Sequence, residues 1–94
     1  MSRYFLSADA QKDLKEIADY ITHDKPGAAR KFILKLKARM RYVADNPQSG
    51  ERFVGADGLE YRRLSAWNYV IYYRLIDRRV LVSRVVHGYR DLTP

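Results

Sequence analysis

The hydrophobic period changes once along this chain, and that change limits what it can fold into. In the first half, apolar residues recur at spacings of three and four, which gathers them on one side of a helix. Ala10, Leu14, Ile17, Ala18 and Ile21 make the first stripe, over Ala8 to about Thr22; Ala29, Phe32, Ile33, Leu36, Met40 and Val43 make the second. In the second half, Tyr69 to Ile76 and Val80 to Val86 are rich in β-branched and aromatic residues, with only Asp77-Arg78-Arg79 between them. That is the length of a hairpin connection.

The punctuation agrees with the period. Ser7 stands where an N-cap is needed, and Asp9 falls in the first turn, where the helix dipole favours an acid. Pro26 suits a first helical position, because its missing N–H has no helical partner there. Pro47 disfavours helical geometry in the residue before it, so the second helix should end near Asn46. The short link around Asp24-Lys25-Pro26-Gly27 predicts an antiparallel helical hairpin. Arg3-Tyr4-Phe5-Leu6 reads as a short opening strand, and Leu59 to Leu64 as a weaker one that turns through Ser65-Ala66-Trp67-Asn68. The predicted order is β-α-α-β-β-β, an α+β architecture with the helical hairpin packed on a four-stranded antiparallel sheet.

With 94 residues, the chain has room for one modest core, so residues 1–94 are read as a single domain. The 47% hydrophobic content is too high for a disordered chain. The sequence holds no cysteine, which excludes disulfide frameworks, thiolate metal sites and thiol nucleophiles. His23 and His87 are far apart and lack acidic neighbours at ligand spacing, so no metal and no cofactor is expected. The longest apolar run, Tyr69 to Tyr73, is far short of the ~20 residues of a membrane span. Asp9, Lys12 and Asp13 interrupt any signal-peptide region. The expectation is a cytoplasmic protein with no membrane partner.

The formal charge is +7. Lys25, Arg30, Lys31, Lys35, Lys37, Arg39 and Arg41 crowd the second helix and its entry against one acid, Asp45, and every basic residue after Lys37 is an arginine. Such a surface suits an acidic partner, whether protein or nucleic acid. Arg62, Arg63, Arg74 and Arg84 fall on predicted strands, where charge implies an exposed or docked sheet face. The candidate partner-binding residues are therefore Lys31, Lys35, Arg62, Arg63, Arg74, Arg84 and Arg90.

One short segment could carry chemistry. His87-Gly88-Tyr89-Arg90-Asp91 places a proton carrier, a phenol, a guanidinium and a carboxylate at the end of the last strand. His87 as base, Tyr89 as acid and Arg90 as clamp on a phosphorane would serve phosphodiester cleavage. The preferred reading is simpler: a packed strand-end histidine, with Arg90 and Asp91 in local pairs.

Four segments together resemble a known family: Leu6-Ser7-Ala8-Asp9-Ala10-Gln11-Lys12-Asp13-Leu14, Asn46-Pro47-Gln48-Ser49-Gly50, Tyr69-Val70-Ile71-Tyr72-Tyr73-Arg74 and Val85-Val86-His87-Gly88-Tyr89-Arg90-Asp91. In order and spacing they are similar to the ParE branch of the RelE/ParE toxins of bacterial toxin–antitoxin modules, nearly end to end. The resemblance implies the fold predicted above and a toxin neutralised by a cognate, ParD-like antitoxin whose acidic flexible segment folds across it. ParE-type members inhibit DNA gyrase without an established catalytic step, whereas RelE-type members cleave messenger RNA in the ribosome. For the nuclease alternative, the resemblance carries over Arg63 and Arg90 as basic residues and His87 with Tyr89 as a proton-transfer pair. RelE-type nucleases place an arginine after the tyrosine that opens the middle strand. This chain has Val70 there, which favours the ParE branch and no catalytic residue. A second alternative is a non-catalytic nucleic-acid-binding module.

Overall fold

The computed structural model describes residues 3–88. Five strands and two long helices follow in the order β1 (Tyr4–Leu6), α1 (Ala8–Asp24), α2 (Ala29–Asp45), β2 (Glu51–Val54), β3 (Glu60–Ala66), β4 (Tyr69–Ile76) and β5 (Arg79–His87), with one turn of 3₁₀ helix over Pro47–Ser49. The α+β class and the helical hairpin are as predicted. The sheet corrects the prediction of four antiparallel strands: it has five, in the order β1-β5-β4-β3-β2, and it is mixed. β1 runs parallel to β5, with Tyr4 opposite Val80 and Leu6 opposite Val82. Two antiparallel helices return the chain to the end of the sheet at which β1 finished, so β2 runs opposite to β1 and three further hairpin reversals leave β5 parallel to β1. β2 is the added strand. Its four residues lie between the Asn46–Gly50 and Gly55–Gly58 breakers, and the charges of Glu51 and Arg52 hide its alternation.

Helix boundaries follow local chemistry. The Ser7 hydroxyl accepts from Ala10 N (3.0 Å), the predicted N-cap. α2 begins at Ala29 and not at Pro26, because Pro26, Gly27 and Ala28 are taken by a turn that Ala28 N closes on Lys25 O (2.9 Å).

Both helices cover one face of the sheet. Ala10, Leu14 and Ile17 from α1 and Leu36, Met40 and Val43 from α2 pack against Ile71, Tyr73, Val80, Val82 and Val85. Val82 and Val85 are three residues apart and could not share a face of a regular strand. A bulge between Tyr72 and Tyr73 resolves this: Tyr73 pairs with Val82, Tyr72 pairs with Arg84, and Ser83 is the extra residue. Gly50 admits the other large core group. The Tyr73 hydroxyl accepts from Gly50 N (2.8 Å) and donates to Pro47 O (2.8 Å), and a Cβ at residue 50 would lie 2.5 Å from that oxygen.

β1 covers only the first part of β5, and the rest of that edge is closed by the start of α1. Ser7 N donates to Val82 O (3.0 Å) and the Ser7 hydroxyl to Ser83 O (2.8 Å). The Asp13 carboxylate accepts from Val85 N (2.9 Å) and holds Arg84 in a two-point pair (2.7 and 3.0 Å). An exposed strand edge is thus satisfied without a further strand.

Candidate functional site

The helical face ends in a cleft of about 710 Å³ between α1, the start of α2 and the ends of β4 and β5. Ile17, Ile21, Phe32 and Tyr69 give it apolar walls, Tyr20 stands at its mouth 72% exposed, and His87 packs edge-on against Tyr69 with ring centroids 5.4 Å apart. Asp13 and Glu16 lie in the wall beside Arg84. These acids raise the Arg84 guanidinium above its ordinary value: the hydrogen-bonded Asp13 carboxylate does most of this, against a smaller opposing effect of burial. Arg84 stays charged at any biological pH, and its contribution to stability persists across that range.

One rim of the cleft is the β3–β4 turn. Trp67 occupies the first loop position with φ 59°, and among the described residues Asn68 does not share that sign, the pattern of a turn that ordinarily takes glycine there. A bulky residue held in this region costs about 1–3 kcal/mol. The indole is 52% exposed, and packing of its covered half is of the same order as that cost. Its neighbours come from one face of α2: Phe32 meets it edge-on at 5.7 Å, Lys35 Nζ lies 5.8 Å from the ring centre and Arg39 Cζ 5.4 Å. Positions 32, 35 and 39 fall on one helical stripe. The adjacent hairpin turn, Asp77-Arg78, also carries positive φ, at both residues.

The other face of the sheet has no helix. Here Phe53 stacks on Tyr61 (5.7 Å, 22°) and meets Tyr72 edge-on, Arg63 lies over Phe53 (5.1 Å) and Arg74 over Tyr61 (5.5 Å). Tyr61 donates to the Asp57 carboxylate (2.6 Å), which also accepts from Leu59 N (2.9 Å). The phenol's hydrogen bond, followed by that of Leu59, lowers Asp57 below the ordinary carboxylate value, and Asp57 in turn raises Tyr61.

The strand arginines are engaged within the chain. Arg62 donates to Gly50 O (2.7 Å), Arg63 pairs with Glu51 through two nitrogens (3.0 and 2.6 Å), and Arg84 is held by Asp13. Lys31 and Lys35 sit exposed on α2. Of the residues for the nuclease alternative, Arg63 and His87 do not converge: Arg63 pairs with Tyr72 on the helix-free face, and His87 pairs with Tyr69 on the other. Tyr89 and Arg90 lie outside the described residues. Among the described residues no three His, Asp or Glu side chains gather as metal ligands, and no helix is long and apolar enough to cross a membrane. The sequence reading missed Trp67, Phe32 and Arg39 as a site. The sequence reading gave this turn four residues, Ser65 to Asn68; the structure extends β3 to Ala66 and leaves Trp67-Asn68, a loop short enough to demand positive φ.

Residues 4–92 match the family model described as the ParE toxin of type II toxin–antitoxin system, parDE. Among solved structures, a chain of the chromosomal ParDE toxin–antitoxin system from P. aeruginosa is similar at TM-score 0.75 and 19% identity, covering 93% of this chain and 96% of that one. At that identity the likeness is one of fold. No curated protein matches the sequence.

Proposed function

The chain belongs to the ParE toxin family of type II toxin–antitoxin systems, and on that premise we propose that it is one toxin domain acting in the cytoplasm by inhibiting DNA gyrase, without a catalytic step. The family match over nearly the whole chain carries the reading. The separation of Arg63 and His87 on opposite sheet faces supports docking over phosphodiester cleavage, because a general base and a phosphorane clamp must reach one phosphate. Val70 supports it as well, since an aliphatic side chain offers nothing to a phosphate.

In this reading a cognate antitoxin binds and neutralises the toxin in a hetero-oligomeric complex that helps to maintain a plasmid or chromosome. The basic stripe of α2, with Lys31 and Lys35, faces the antitoxin's acidic segment. The strand arginines Arg62, Arg63, Arg74 and Arg84, with Arg90, complete the contact surface where their internal pairs leave donors over.

The purified protein should block gyrase supercoiling, antitoxin should relieve the block, and messenger RNA on ribosomes should stay intact. Ribosome-dependent cleavage with supercoiling undisturbed would overturn the proposal, and loss of that cleavage in His87→Ala would identify a nuclease.

A further inference from the structure

Glycine meets the backbone requirement of the Trp67 position without strain, yet an indole stands there with half its surface exposed. Its surroundings are better suited to another molecule. Lys35 and Arg39 are gathered against the ring, so two long side chains are already ordered where an anion would meet them. Phe32 touches both Trp67 and Tyr69 and thereby joins this cationic corner to the apolar wall of the cleft. An exposed tryptophan flanked by arginine beside an apolar pocket has the composition of an interface hot spot.

We propose that Trp67 is the anchor residue for an acidic peptide segment of the antitoxin, whose carboxylates pair with Lys35 and Arg39 while a neighbouring apolar side chain enters the cleft between Ile21, Phe32 and Tyr69. This rests on the toxin–antitoxin reading and adds to it the residue on which affinity turns. Charge decides between a peptide and a nucleic acid. Among the described residues the cleft wall offers a polyanion no free cation, since Arg84 is paired with Asp13 and Glu16 adds negative charge, whereas a peptide can present acids at the Trp67 end and apolar groups at the other. The exposed half of the ring is the part left free for binding.

The test uses the full chain and the product of the antitoxin gene beside its own, titrated calorimetrically with the unmodified protein, with Trp67→Gly and with Lys35→Glu/Arg39→Glu. Trp67 is the sole tryptophan, so with a tryptophan-free antitoxin its emission reports this corner alone. It should shift on binding. Trp67→Gly should weaken binding about tenfold or more while its thermal midpoint changes little, because relief of the positive-φ strain offsets the packing lost with the indole. The charge reversal should weaken binding comparably and remove most of its salt dependence. Affinity within about twofold of the unmodified protein in both variants, or a loss in Trp67→Gly matched by a fall in its thermal midpoint, would overturn the inference and leave the toxin–antitoxin reading standing. Failure of the unmodified protein to bind would overturn that reading, and the inference with it. Loss of binding to a labelled DNA duplex in place of the antitoxin would name nucleic acid as the occupant and also overturn the inference.

Discussion

The two faces of the sheet are built on different physics. Under the helices, Ile71, Tyr73, Val82 and Leu36 are fully buried and held by shape and by exclusion of water. On the other face, Arg63 lies over Phe53 and Arg74 over Tyr61, in side chains that keep some exposure to solvent, and a buried Tyr72 meets Phe53 edge-on. Burial makes the first face intolerant of change. The second can vary with little loss of fold, which leaves it and the cleft rim free to carry recognition.

Substitutions should separate the faces by magnitude. Leu36→Ala opens a cavity in a fully buried site and should cost about 3 kcal/mol, lowering Tm by roughly 15 °C in calorimetry. Were the loss under about 1 kcal/mol, the helix-covered face would not be the close-packed one. Asp13→Ala comes next. It strips Val85 N–H and the Arg84 guanidinium of their acceptor at the sheet edge, and with Asp13 7% exposed and Arg84 more open the cost should be about 2 kcal/mol in urea denaturation.

On the helix-free face the effects should be smaller. Arg63→Ala and Arg74→Ala remove a cation from an aromatic ring, and in the first case from Glu51, and each should cost under about 1 kcal/mol. A loss as large as that of Leu36→Ala would erase the contrast. The smallest effect is a pH dependence at the Asp57–Tyr61 hydrogen bond. Asp57 sits below its unfolded value, so its contribution is complete above the ordinary aspartate range and is lost as pH falls through the depressed value. Tyr61 sits above its own, so its contribution is lost as pH rises through the raised value. Carbon-13 titration of the Asp57 carboxyl should show the lower midpoint, and Tyr61→Phe should raise it toward the ordinary one, with the Leu59 N–H bond still in place.

The helices were legible because Ala10, Leu14 and Ile17 repeat at the helical period and Ser7 marks the start; β4 and β5 were legible from their β-branched and aromatic runs. β2 was not, because four residues with two charges give no period, and the parallel pairing of β1 depends on where two helices return the chain. The bulge at Ser83 was equally hidden, since one extra residue looks like a break in alternation. At the site, the cations of α2 could be read directly. That Lys35 and Arg39 converge on Trp67, and that Arg84 closes on Asp13 71 residues away, depend on tertiary placement.

The joining of the two ends of the chain has a consequence in time. Tyr4 meets Val80, and the Ser7 hydroxyl reaches Ser83, 76 residues later. A ribosome adding about 5–20 residues per second releases α1 and α2 seconds before the strand that fills their underside exists. Until β5 is made, the apolar stripes of the two helices lack Val80, Val82 and Val85, and a product cut short before Val80 lacks the strand that joins β1 to β4. Folding of this domain therefore waits on the synthesis of β5 and on the slow capture of distant partners.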